Sequence, residues 1–210
     1  MTSVSIIGAG NMGTAIATIA ATGGAAVQLL AQDAEKTAAA AATAGASVAS
    51  GVAGDALTGD IVILALPYPA VAGVLAQYAG QLDGKVIVDI TNPLDFATFD
   101  SLVVPAEGSA AQVIAETVPG ARVLKAFNTT FAATLATAAV NGVAPTTVLV
   151  AGDDAAAKDA LINVITAGGV SAVDAGALKR ARELEALGFL QLTLAAGETI
   201  GWTGGFALVK

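Results

Sequence analysis

Val4-Ser5-Ile6-Ile7-Gly8-Ala9-Gly10-Asn11-Met12-Gly13-Thr14-Ala15-Ile16-Ala17 is the stretch on which the reading of this chain turns. Val4–Ile7 is apolar enough for a buried strand, and Asn11–Thr22 is alanine-rich and proline-free, as a helix requires. Between them stands Gly8-Ala9-Gly10-Asn11-Met12-Gly13, the pattern G-x-G-x-x-G. Alone the pattern is weak; after a strand and at the opening of a helix it has a mechanical meaning. Gly8 permits a tight turn, Gly10 leaves the backbone open to close approach, and Gly13 lets the helix pack on the strand. The free N–H groups and positive dipole end of the helix then suit a pyrophosphate. The reading assigns Gly8, Ala9, Gly10, Asn11, Met12 and Gly13 to a dinucleotide-binding loop. A glycine-rich turn with no ligand is the plainer alternative.

Outward from that loop, short Val/Ile runs alternate with alanine-rich helical stretches. Strands are expected at Ala26–Leu30, Ser47–Ala49, Ile61–Leu66, Val86–Ile90, Val123–Ala126, Thr146–Val150 and Val170–Val173. Helices are expected at Asp33–Ala44, Pro69–Tyr78, Ala110–Thr117, Asp154–Ala167 and Leu178–Leu194. Ile61–Leu66 is uniformly apolar, as in a strand buried on both faces. This rhythm predicts βαβ units with right-handed crossovers, an α/β fold of the Rossmann type with a doubly wound parallel sheet. A soft boundary falls after Ala126. Residues 1–126 read as the dinucleotide-binding domain, and 127–210 as a small C-terminal α/β lobe, an acceptor site or dimer contact. Its tail, Gly197–Lys210, is expected to hold a loop and a terminal strand.

Composition narrows the chemistry. The 210 residues include no histidine and no cysteine. The commonest general base, the commonest metal ligand and the thiolate nucleophile are therefore missing. A net charge of −8 argues against nucleic acid as a partner. Mean hydropathy is high, +0.75, but glycines interrupt Met1–Gln32 and polar residues and Pro145 interrupt Ala126–Gly152. Neither is the run of about 20 apolar residues that a bilayer helix needs. The N-terminus lacks a basic leader region. The expectation is a cytoplasmic protein with no membrane partner, no metal, and a homodimeric state.

The candidate rim lies at the carboxyl ends of the strands, where open α/β sheets bind ligands. After the second strand come Ala31, Gln32, Asp33 and Lys36. An acid at that strand end would accept a ribose 2′-hydroxyl, and a basic residue a 2′-phosphate; this chain has neither there. Asp33 lies two residues late and fits a helix N-cap. Lys36 is either a phosphate contact or a surface lysine. Leu66-Pro67-Tyr68 and Asn92-Pro93 follow the next two strands, and each reads equally as ligand contact or turn chemistry. Asn128 and Thr129 either face the nicotinamide or cap the following helix.

These residues resemble a known family, the coenzyme F420-dependent NADP oxidoreductases. The resemblance runs nearly end to end. It is carried by IIGAGNMG, by DAEK at Asp33–Lys36, by ALPY at Ala65–Tyr68 and by GKVIVDITNPL at Gly84–Leu94. It continues through GSAAQVIAETVPGARVLKAFNTT at Gly108–Thr130, VLVAGDDAAAK at Val148–Lys158 and VDAGALKRARELEAL at Val173–Leu187. It implies a phosphate loop at Ala9–Met12. It places the family's serine–arginine pair for the 2′-phosphate on Ala31 and Gln32, with Lys36 as basic helper, so this chain has lost both members of that pair. It implies that Leu66–Tyr68 and Asn92-Pro93 flank the nicotinamide, with the deazaflavin between the two lobes.

The implied reaction is hydride transfer between NADP(H), or NAD(H), and coenzyme F420 or a related flavin-type ring. The cofactors carry the chemistry and the protein supplies alignment and exclusion of water. No catalytic side chain is named; Tyr68 is the one tyrosine expected on the rim as a proton donor, or as a ring over the cofactor. Rival readings are an imine, flavin or ferric reductase, and a dinucleotide-binding redox sensor. In the tail, Trp202 and Phe206 either line the acceptor slot or plug a core or dimer contact.

Overall fold

The structure is a computed structural model that describes residues 1–209. Its strands are β1 (Ser3–Ile7), β2 (Ala26–Ala31), β3 (Ala49–Val52), β4 (Ile61–Leu64), β5 (Val86–Asp89), β6 (Arg122–Lys125), β7 (Ala139–Val140), β8 (Ala144–Pro145), β9 (Thr147–Gly152) and β10 (Ser171–Gly176). Its helices are α1 (Asn11–Thr22), α2 (Ala34–Ala44), α3 (Tyr68–Gln77), α4 (Ala110–Thr117), α5 (Ala132–Thr137), α6 (Ala155–Ala167) and α7 (Ala181–Ala196). Eight strands form one sheet in the order β10-β9-β6-β5-β4-β1-β2-β3. Every pairing in it is parallel except β6–β9. The fold is the Rossmann-type α/β arrangement that the alternation of elements predicts.

Strand residues alternate between two cores because successive side chains leave a strand on opposite faces. Val4, Ile6, Ile61, Ile63, Val86 and Val88 pack with α1, α2 and α6 on one face. Ile7, Val62, Leu64 and Ile87 pack with α3 and α4 on the other. Both faces are covered, so the strands read as nearly unbroken apolar runs.

The direction of the sheet changes at β9. Leu124 pairs with Gly152 and Lys125 with Ala151, antiparallel. The rest of β9 therefore continues past the carboxyl end of β6 and, with β10, flanks the rim of the parallel strands. The second half of the chain thus adds strands to the same sheet. Three local expectations are corrected. The tail after residue 197 forms turns and coil, with no strand among the described residues; the Phe206 N–H bonds the Gln191 side chain in place of a ladder partner. The helix expected after Asn128 and Thr129 is the short α5, but the β7–β8 hairpin was not expected before the strand at Thr146–Val150. The last helix opens as a 3-10 turn over Leu178–Arg180, and its regular part begins at Ala181.

Candidate functional site

The order of the sheet reverses between β4 and β1, and the glycine loop sits at that reversal. Gly8 has φ +120°, and a Cβ there would collide with the Ala65 carbonyl on the loop after β4. Gly13 is fixed by contact: a Cβ would collide with the Gly8 carbonyl. Gly10 differs from both, because a Cβ would meet nothing within 4 Å. It is the N-cap of α1, with no side chain bonded to the helix N–H groups. The space over Gly10 fits a pyrophosphate, held by those N–H groups and the helix dipole.

From this loop a cleft of about 340 Å³ runs along Gly10–Gly13, Ala65–Tyr68, Thr91, Asn92 and Phe96. It adjoins a second chamber of about 350 Å³ walled by Phe127, Asn128, Thr130, Phe131 and Trp202. Asn11, Met12, Ile90, Asn92 and Leu192 line both chambers, so the two lie side by side and share a wall. Trp202 stacks obliquely on Phe131, with ring centroids 5.0 Å apart. Phe206 does not line the cavity.

The structure thus brings together Gly10, Asn11, Met12, Gly13, Leu66, Pro67, Tyr68, Asn92 and Asn128 along these adjoining chambers. Gly8 and Ala9 support the loop from behind. Pro93 is buried, with its carbonyl accepting from the Val103 N–H at 2.7 Å. Ala31 and Gln32 lie apart from the cavity, at the end of β2. Asp33 is the N-cap of α2, its carboxylate accepting from the Lys36 N–H at 3.1 Å. That bond holds the Asp33 carboxyl below its usual range. The Lys36 side chain is 84% exposed and 3.5 Å from Asp33. No side chain is built toward a 2′-phosphate here; the residues fit a dinucleotide more plainly than its phosphorylated ribose.

Asn128 caps no helix; Phe131 is the N-cap of α5. The Asn128 amide instead donates to the Leu184 carbonyl at 2.7 Å and to Asn92 Oδ1 at 3.0 Å. Asn92 answers by donating to the Asn128 carbonyl at 2.8 Å. This reciprocal pair ties the loops after β5 and β6 together. Between Lys125 and Asn128 the chain makes a strained turn: Phe127 has φ +62°, and the Asn128 N–H bonds the Ala126 carbonyl at 2.8 Å. The helix α7 presses on the pair at Gly188, where a Cβ would collide with Asn92 Oδ1. Glycine within a helix costs about 1 kcal/mol relative to alanine, and this contact is its reason.

Beneath the pair lies a charge cluster that the sequence reading missed. Lys125 is 0% exposed. Its ammonium donates to Asp89 Oδ2 at 2.8 Å and to the Thr91 carbonyl at 2.6 Å, and meets Glu185 Oε1 at 2.8 Å. The other Glu185 oxygen accepts from the Ala110 N–H at the start of α4, at 2.9 Å. Burial pushes the Glu185 carboxyl up against the opposing pull of Lys125. Burial, then the charges of Glu185 and Asp89, also raise the Tyr68 phenol, which keeps its proton. Each such buried ion costs several kcal/mol of desolvation before its pairing is counted. The only signal in the sequence was Lys125 itself, an uncommon residue in the otherwise apolar run Val123–Ala126.

Among the described residues no helix is long and apolar enough to cross a membrane, and no cluster of His, Cys, Asp or Glu is placed to hold a metal. Residues 3–93 match the family model described as NADP oxidoreductase, coenzyme F420-dependent. The F420-dependent NADP reductase of Methanocaldococcus jannaschii is 33% identical over 133 residues, 61% of this chain and 59% of that enzyme. The match therefore spans less than two thirds of the curated reductase. A structure from Arthrobacter sp. FB24, provisionally assigned as an F420-dependent NADP reductase, matches with a TM-score of 0.83 and 26% identity over 99% of both chains. A hypothetical protein from Sinorhizobium meliloti matches with a TM-score of 0.75 and 31% identity, over 85% of this chain and 86% of the other. With the glycine loop at the reversal of the sheet and two adjoining chambers behind it, the chain is similar to coenzyme F420-dependent NADP oxidoreductases, most directly over residues 3–93.

Proposed function

We propose that this protein is a cytoplasmic oxidoreductase that moves hydride between NADP(H) and the deazaflavin coenzyme F420 or a related flavin-type ring. One observation carries the reading: the cleft at the glycine loop adjoins, across Met12 and Asn92, a chamber walled by Phe127, Phe131 and Trp202. Residues 1–126 serve as the dinucleotide half, and residues 127–210 supply most of the acceptor half.

When bound, the nicotinamide supplies or takes the hydride at its C4. The chain's own part is binding and alignment. The N–H groups of α1 beyond Gly10 hold the pyrophosphate. Leu66, Pro67 and Tyr68 cover one side of the nicotinamide slot, and the interlocked Asn92–Asn128 pair lines its inner end, where Asn128 Oδ1 is buried without a partner. The aromatic walls hold a planar ring and keep water from the transfer path. Tyr68 retains its proton and packs as a ring over the slot. NAD(H) serves as well as NADP(H), because Ala31 and Gln32 replace the charged 2′-phosphate contact. With Trp202 on the acceptor chamber, the exposed Phe206 and Leu208 supply the contact of a homodimer.

Following NADPH and NADH oxidation with coenzyme F420, FMN, ferric ion and a cyclic imine as separate acceptors tests the proposal. Turnover should be fastest with the deazaflavin. Tight dinucleotide binding with no turnover on any acceptor would make the protein a redox sensor instead.

A further inference from the structure

The buried cluster Lys125–Asp89–Glu185 takes no part in binding or transfer, yet it joins β5, β6 and α7, whose ends or side chains line the inner chamber, and the start of α4. Lys125 closes β6, Asp89 closes β5, Glu185 belongs to α7, and Glu185 also holds the first N–H of α4. All of the ammonium's donor capacity is used, on Asp89, Glu185 and the carbonyl of Thr91. Asp89 turns its second oxygen to the Thr91 N–H at 2.8 Å. Thr91 is thus gripped at both its N–H and its carbonyl, and the next residue is Asn92. On the other loop, Lys125 stands two residues before the strained Phe127 and three before Asn128. On α7, Glu185 stands one turn before Gly188 and two turns before Leu192. The first of these presses on Asn92 and Asn128, and the second lines both chambers.

A cluster of two carboxylates and one ammonium in a dry interior is a poor way to stabilise a fold, because apolar side chains of similar volume do as well or better. It is a good way to fix one geometry, because its bonds are short, directional and few. We propose that Lys125, Asp89 and Glu185 are positioning residues: they hold the Asn92–Asn128 pair and α7 in the one arrangement that sets the dinucleotide chamber against the acceptor chamber. The neutral Asn pair cannot hold this alignment alone, since both loops reach it through backbone turns. This inference rests on the reading of the cavity as a hydride-transfer site.

The test is a full-length triple variant, Lys125→Met with Asp89→Asn and Glu185→Gln, which removes the charges at nearly constant volume. Three quantities are compared with wild type: melting temperature, affinity for NADPH, and emission of the bound reduced nicotinamide. Single-turnover transfer to the deazaflavin is the fourth. The variant should stay folded, since it removes all three buried charges together and leaves none unpaired, and affinity should change by less than about threefold, because the pyrophosphate loop is not in contact with the cluster. The nicotinamide emission should move toward that of free NADPH, and the transfer rate should fall by about tenfold or more. A folded triple variant with wild-type emission and wild-type transfer rate overturns the proposal. If the triple variant does not fold, Glu185→Gln alone decides, because Lys125 then keeps Asp89 and Thr91; a loss of about threefold or more in transfer rate is expected, and none overturns it. If wild type transfers hydride to no acceptor, the functional reading fails by itself, and the emission of bound NADPH still tests the positioning role.

Discussion

At the β1 end of the cavity the walls are backbone: the Gly8 turn, the free N–H groups of α1 and the Ala65 carbonyl, all within one strand–helix junction and its neighbour. At the β6 end the walls are side chains drawn from several elements: Asn92 after β5, Phe127 and Asn128 after β6, Ala132 and Ala133 on α5, Leu192 on α7 and Trp202 in the tail, with Gly188 and Glu185 packed behind them. The first end needs residues that are absent or small, and its tolerance is set by steric contact. The second end needs particular functional groups in contact, and its tolerance is set by hydrogen bonds and charge. A ligand that spans both ends is held by geometry that could not drift at one end without being noticed at the other.

The sharpest way to separate two kinds of glycine at the first end is to give each a side chain. Gly13→Val drives a Cβ into the Gly8 carbonyl. The fold should lose at least about 2 kcal/mol, visible as a melting temperature lower by roughly 5 °C or more. Gly10→Val meets open space in the free protein, so its melting temperature should stay put. Its dinucleotide affinity should fall by about tenfold or more, which is about 1.4 kcal/mol. Unchanged titration curves for the Gly10 variant would remove the pyrophosphate from this loop.

At the second end, Trp202→Ala should raise the KM for the ring acceptor by about tenfold, with the dinucleotide affinity left within error. Equal losses on both ligands would make Trp202 a structural plug. A smaller effect is expected at β2. Gln32→Arg adds a charge-assisted donor near Ala31 and should raise the preference for NADPH over NADH by about fivefold. A wild type that already prefers NADPH by about a hundredfold would place the 2′-phosphate elsewhere.

The smallest effect concerns pH. The Glu185 carboxyl is pushed up in the folded protein by burial. The folded state therefore holds its proton more tightly than the unfolded chain. Stability from this group is full below the unfolded value near 4.5 and is lost as pH rises through the folded value. Glu185→Gln lacks this titration. The melting temperature of the variant relative to wild type should therefore climb as pH rises from about 4.5 through the raised folded value. A difference that stays flat or falls over that range would mean that the carboxyl is not raised.

Much of the first end was legible. The strand, the three glycines and the helix are contiguous, and local pattern reads contiguous features well. Asp33 read correctly as a cap, for the same reason. The second end was not legible because its partners lie far apart in the chain. Glu185 and Glu183 sit two residues apart in the same helical stretch. One is buried against Lys125, while the other pairs with Arg180 on the surface. Nothing local distinguishes them; only the packing of α7 against α4 and β6 does. The positive φ of Phe127 was hidden too, since that conformation favours glycine, asparagine or aspartate, and the neighbouring Asn128 drew the attention to itself. Asn128 as a helix cap was a reasonable local reading that failed because its amide has better partners on α7.

The antiparallel entry of β9 has a consequence for any attempt to cut the molecule. A fragment ending at residue 126 keeps the glycine loop and the six strands of the parallel run. It also leaves β6 at the margin of the sheet, with its ladder groups unpaired and its flanking helix α7 gone. Lys125 would then face solvent beside a bare edge, and Glu185 would no longer hold α4. Such an edge recruits a second strand from another molecule. Under the proposed function, the division after Ala126 is one of labour between ligands, within a single sheet. It offers no clean place for scissors, and an excised dinucleotide half should precipitate or self-associate before it can be assayed.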